Sequence, residues 1–188
     1  MAALNQRTLD LVNAKQSSVV QAWIGNLAAA AQDSRTSARE LDAQVNEFWR
    51  LFLGAMSAAD AGSLQGREWE EIRRFLEDLS RERVLKGFSS SETATFVFSL
   101  KRPLFDVIQE AATSPQELAK DVWAISELLD QLGLHTVKAF QKTREEVIQR
   151  QQEEMLELST PVVKLWDGVL ALPMIGTLDS QRTQVVME

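Results

Sequence analysis

Apolar residues recur at helical spacing along the first 140 positions. Leu9, Val12, Val19, Trp23 and Leu27 stand three, four and seven apart and lead into an alanine run, which predicts one amphipathic helix over residues 4–31. Ser37 with Glu40 has the spacing of a capping box, and it opens a second stripe of Leu41, Val45, Phe48, Phe52 and Met56 with Trp49 alongside. Asp60 to Gly66, DAGSLQG, reads as a loop. A third helix carries Trp69, Ile72, Leu76 and Leu79, and Gly87 is its plausible terminator, because glycine tolerates the left-handed backbone that ends helices.

A second capping box, Ser89 to Glu92, starts the stripe Phe96, Leu100, Leu104 and Ile108, with Phe88 placed ahead of it to pack on Thr93 or Phe96. Pro103 inside that stripe lacks an N–H and should kink or split the helix. Ser114-Pro115-Gln116-Glu117 places a cap, a first-turn proline and a capping glutamate in order. The helix it starts is expected to bury Leu118, Val122, Ile125, Leu129 and Leu132 and to end at Gly133. No segment up to this point alternates with the period of a strand, so residues 1–140 read as an all-α domain.

The pattern thins from His135 to Ser159. Phe140, Val147, Ile148, Met155 and Leu158 are too sparse for a buried helix, so a long, mostly exposed connector is expected over 141–160. Ile148, Met155 and Val162 stand seven apart, with Gln151 and Leu158 at the intervening positions, a spacing that suits a short two-helix seam with one polar layer. A solvated helix held by its charge pairs is the plainer alternative. After Pro161 two β-branched, apolar runs flank Asp167-Gly168, a dipeptide that favours the positive φ angles of a two-residue hairpin turn. A new helix is expected from Asp179 or Ser180, so residues 161–188 read as the opening of a mixed sheet and the chain as part of a longer protein.

Composition narrows the chemistry. The 188 residues are 45% hydrophobic and 25% charged, with 8 Gly and 4 Pro, as suits a core-forming chain. With no Cys, thiolate metal sites, disulfides and cysteine nucleophiles are excluded, and a single His rules out a multi-histidine metal site. A formal charge of -7 argues against generic nucleic-acid binding. The start MAALNQRTLDL lacks the parts of a signal peptide, and no apolar stretch is long enough to span a membrane, so a cytoplasmic protein is expected. Gly-rich phosphate loops, HExxH and GxSxG are absent, which ranks a helical hydrolase or transferase last. Core packing is the default for Trp23, Trp49, Trp69 and Trp123, and His135 is expected to be exposed or capping. At Gly176 to Arg182 a hydroxyl near a helix start is a phosphate-accepting position, although the local pattern alone makes Ser180 or Thr177 simply a cap.

Larger stretches carry a resemblance. QQEEMLELSTPVVKLWDGVLALPMIGTLDSQRTQVVME is similar to the connector and opening strands of the STAS domain in RsbR-type stressosome proteins, and RFLEDLSRERVLKGFSSSETATFVFSLKRPLF resembles their N-terminal domain. The resemblance implies a mainly α sensory bundle, of globin-like form without haem, that dimerises and is followed by a connector and a STAS hairpin. It also implies a non-enzymatic scaffold without a cofactor that relays stress to a STAS core. There it would assemble with an RsbS-like STAS protein and hold and release an RsbT-like serine/threonine kinase. The family phosphorylation site GTxD[ST]xR falls on Ser180, where well-known members have Thr, and a second site would lie beyond Glu188. The alternative is a ligand- or haem-binding globin-like sensor, for which His135 is the sole imidazole.

Overall fold

The computed structural model describes residues 5–30, 35–58, 64, 66–158 and 163–171, without the side chains of 156–158, 163 and 165. Among these residues the chain is mainly α. The helices are α1 (Gln6–Ala14), α2 (Gln16–Ala30), α3 (Ala38–Ser57), α4 (Glu70–Leu85, entered through a 3-10 turn Arg67–Trp69), α5 (Ser90–Phe98), α6 (Lys101–Ala111) and α7 (Pro115–Leu158). Strands β1 (Val163–Trp166) and β2 (Val169–Ala171) follow. The chain divides into two compact units, Met1–Arg144 and Glu145–Glu188.

The single helix expected over 4–31 is two. Lys15 leaves the helical conformation at φ -101°, ψ 14°, and its N–H bonds back to Leu11 and Asn13 carbonyls. The break lets each half serve a different neighbour. In α1, Thr8 Oγ1 donates to the buried Asp121 carboxylate of α7 at 2.5 Å. In α2, Trp23 Nε1 donates to Phe96 O and Ser99 Oγ, both at 2.9 Å, which ties α2 to the end of α5. The stripe Val12, Val19, Trp23 and Leu27 is buried on both sides of the break.

An aromatic cluster fills the centre of the first unit. Trp23 lies 5.0 Å from Phe96 and 5.2 Å from Phe48 between ring centroids, and Phe48 stacks on Phe52 at 5.8 Å. These rings come from α2, α3 and α5, so three separate apolar stripes meet in one place. Offset and edge contacts of this kind add to the burial of the rings themselves.

The helix ends follow local chemistry. Ser37 Oγ accepts from Glu40 N, and Ser89 with Glu92 forms the full reciprocal capping box. Gly87 has φ +73°, and the bonds Gly87 N to Val84 O (3.1 Å) and Phe88 N to Arg83 O (2.9 Å) complete a Schellman end for α4. Pro103 does split its stripe: α5 stops at Phe98, and the proline sits in the first turn of α6, where a missing N–H costs little. Ser114 Oγ accepts from Glu117 N at 3.2 Å, and Glu117 answers by accepting from the Thr113 hydroxyl and from Thr113 N at 3.0 Å, which together hold its carboxyl below the usual range.

Gly133 does not end a helix. It lies inside α7, buried, and a Cβ built on it would stand 2.4 Å from Cε1 and Cζ of Phe98. The glycine serves close approach of a ring rather than termination. Trp123 also departs from expectation, with 73% of its surface exposed while Trp23, Trp49 and Trp69 are buried. It stands two positions from both Asp121 and Ile125, which are buried, and so about 200° around the helix from each.

The hairpin forms as expected around Asp167-Gly168, antiparallel, with Val163 opposite Ala171 and Lys164 opposite Leu170. Its turn differs from the expected pair of positive φ angles. Only Gly168 has one, at +80°, and the register shifts between Lys164 and Trp166, so that Trp166 faces Val169. Asp167 keeps negative φ as a residue with a side chain prefers, and the irregularity in the strand absorbs the difference.

Candidate functional site

The expected functional positions are the connector seam, from its heptad spacing, and Ser180, from the family resemblance. Ser180 and the segment Gly176 to Arg182 lie outside the described residues, as does Val162. The connector is described as the last part of α7. Phe140 and Thr143 are its final buried residues, and from Arg144 to Met155 almost every side chain faces solvent. Ile148 is 43% exposed and Met155 71% exposed, with Gln151 exposed between them. Leu158 is helical, but its side chain is not among those described.

Seven helical residues rise about 10.5 Å and rotate nearly two full turns, so Ile148 and Met155 fall on one face with Gln151 between. An exposed Met and Ile one heptad apart, on a helix otherwise covered by Glu, Gln and Arg, present a narrow apolar strip. Gln149 Nε2 donates to Glu153 Oε1 at 3.0 Å on the flanking surface, a side-chain pair that supports the helix without covering that strip. The hairpin shows a similar character, with Trp166 66% and Leu170 69% exposed.

His135 is neither exposed nor a cap. It sits within α7, half-buried, with Nε2 3.3 Å from Glu77 Oε1 of α4, an ion-pair distance at an angle that makes no hydrogen bond. Close by, the Ser80 hydroxyl of α4 lies 2.7 Å from Leu76 O of its own helix and 3.2 Å from Thr136 O of α7. The imidazole therefore belongs to the α4–α7 packing. No cluster of three or more metal-ligating side chains occurs among the described residues, and none of their helices is long and apolar enough to cross a membrane.

A network that the sequence did not announce joins α3, α4 and α5. Lys86 at the end of α4 pairs with Glu40 of α3 and with Glu82. The Glu82 carboxyl and the Lys86 ammonium hold Glu40 down to about 2. Arg35 pairs with Glu92, whose carboxyl is lowered first by its bonds to Ser89 and then by Arg35. The signal available beforehand was the density of Glu and Arg on α4, which equally describes a solvated face.

Comparison with known proteins decides the family. Residues 17–155 match the model of the RsbT co-antagonist protein rsbRD N-terminal domain. The chain belongs to the RsbRD N-terminal domain family. Two relatives of this RsbRD-type chain come from Bacillus subtilis. It is 20% identical to the RsbT co-antagonist protein RsbRA over 98% of its own length and 64% of that protein, and 23% identical to RsbRD over 63% of its own length and 45% of that protein. The chain thus spans less than two-thirds of each relative. No solved structure matches it. The RsbRD-type match runs from α2 to Met155, and so takes in the helical bundle together with the exposed strip of the connector.

Proposed function

We propose that this chain is the sensory and connecting part of a cytoplasmic, non-enzymatic stressosome regulator. Residues 1–140 form the sensory domain, 141–160 the connector, and 161–188 the start of a STAS domain. Two copies pair through Ile148, Gln151, Met155 and Leu158, and a change in the helical domain reaches the STAS part as a shift or rotation of the paired connectors. In the whole protein the STAS part packs with an RsbS-like protein and controls sequestration and release of an RsbT-like kinase, as the relatives' names as RsbT co-antagonists suggest.

The observation that carries this reading is the exposed heptad pair Ile148 and Met155, on a helix inside the family match. Paired apolar strips are what two amphipathic connectors bury against each other, and a polar Gln at one layer fixes register at some cost in stability. Phosphorylation of Ser180 would bring about 1.5 to 2 negative charges beside Asp179, repelled by that carboxylate and attracted by Arg182. The test is labelling by an RsbT-type kinase of a protein that contains both parts. Ser180→Ala is expected to abolish the label, and labelling at an unchanged rate overturns the assignment.

A further inference from the structure

A cavity of about 140 Å³ lies between α2, α3, α4 and α5, lined by Leu27, Leu41, Phe96, Thr36, Arg83 and Phe88 among others. Arg83 is the unusual wall. It is only 6% exposed, yet its guanidinium makes one hydrogen bond, Nη2 to Gln44 Oε1 at 3.2 Å, and its Nε has no partner. The Schellman end of α4 brings Phe88 back over it, with the ring centroid 4.3 Å from Arg83 Cζ.

The carboxylates nearby are already engaged. Glu40 and Glu82 share Lys86, and Glu92 is held by Ser89 and Arg35. No described carboxylate stands in ion-pair contact with Arg83. Burial accordingly pushes its guanidinium down from its ordinary value, although not into a range where it would lose its proton. A buried cation with an unused N–H is costly unless an anion completes it. Thr36 Oγ1, also buried and without a partner, lines the same cavity as a second donor.

The remaining walls set the ligand's other half. Leu27, Leu41 and Phe96 are apolar, and a void near 140 Å³ compares with the ~150 Å³ engineered cavity that admits benzene. Arg35 and Glu92 also line the cavity but are paired with each other, so an inorganic dianion would leave the apolar walls uncovered and find Arg83 as the cationic wall that no described carboxylate pairs. We propose that this cavity binds a small organic monoanion, a carboxylate with a compact apolar tail, with Arg83 as its charge partner and Thr36 as a second donor.

Binding stands on the cavity alone. A failed kinase experiment with intact binding would therefore count against the regulatory reading above and leave this inference standing.

The test is titration of the full chain with propionate, isobutyrate and benzoate, set against propionamide, benzamide and inorganic phosphate, followed by NMR shifts and thermal unfolding. At least one carboxylate is expected to saturate and to raise the unfolding temperature, with its amide weaker by about tenfold or more, as loss of a charged hydrogen bond implies. Arg83→Gln should weaken the carboxylate to the level of the amide. Because that variant risks misfolding, Thr36→Val, at a half-buried position, is the second probe and should weaken the acid more than the amide. Equal binding of acid and amide, saturable binding of phosphate alone, or no saturable binding of any carboxylate overturns the proposal.

Discussion

Gly133 of α7 lies directly against the Phe98 ring at the end of α5, so close that a Cβ on the glycine would stand 2.4 Å from Cε1 and Cζ. The contact explains why a residue that normally ends helices is retained inside one. It also locates the point where the α5–α6 turn rests on α7, in a region where Lys101 Nζ of α6 lies 5.5 Å from the same ring and pairs with Asp130 of α7.

Two effects oppose each other when Gly133 is replaced by Ala. The helix gains about 1 kcal/mol in propensity, while the new methyl must displace a ring that is 36% exposed and so has room to swing outward. The expected outcome is that Gly133→Ala stabilises a Phe98→Ala background by about 1 kcal/mol but stabilises the native background less or destabilises it. Denaturant unfolding of the four proteins measures the coupling. Equal effects in both backgrounds would remove the role given to the ring.

Trp23 is fully buried and carries the one indole N–H that ties α2 to the carbonyl of Phe96 and the hydroxyl of Ser99. Trp23→Phe removes that donor and leaves a void beside Phe48 and Phe96. A loss of about 2 kcal/mol or more is expected in chemical denaturation, with hydrogen exchange quickening first in α2. A variant as stable as the parent would show that the indole is not an anchor.

Acid should weaken the α3–α4 junction. Glu40 is lowered to about 2 in the folded chain against 4.5 for an isolated glutamate, held down by Glu82 first and then by Lys86. A depressed carboxylate contributes stability that is present above its unfolded value and is lost as pH falls through its folded value. Between pH 4.5 and 2 the native chain should therefore lose stability more steeply than Glu40→Gln. Parallel curves for the two proteins over that window would contradict the pairing.

Much of the helical bundle was legible because its stripes are regular. Ser89 and Glu92, Ser114 and Glu117, and Gly87 announce helix ends through chemistry within a few residues, and the Asp167-Gly168 turn does the same for the hairpin. The break at Lys15 was not legible, since the buried stripe runs through it without a change of spacing and the cause is tertiary: α1 answers to Asp121, and α2 to Phe96 and Ser99. Gly133 was misread for a similar reason, because the ring that requires it lies 35 residues earlier, at Phe98. The residue type of Trp123 points to the core, whereas its angular position on α7, nearly opposite the buried Ile125 and Leu132, places it outward. At the connector, sequence pattern and structure agree on an exposed strip at Ile148 and Met155. Arg83 and Thr36 were hidden altogether, since nothing local to either residue shows that separate helices enclose them.

The proposed relay depends on pairing of the connectors, and a chain with no cysteine allows that pairing to be measured directly. Single cysteines at Met155 and, as a control on the opposite face, at Glu153 are introduced into the full chain and oxidised under mild conditions, with molar mass read by light scattering before and after. The expected result is a dimer in solution that Met155→Cys locks rapidly as a disulfide-linked pair while Glu153→Cys links slowly or not at all. A monomer in solution, or equal linkage at the two positions, would contradict a connector seam through Ile148 and Met155.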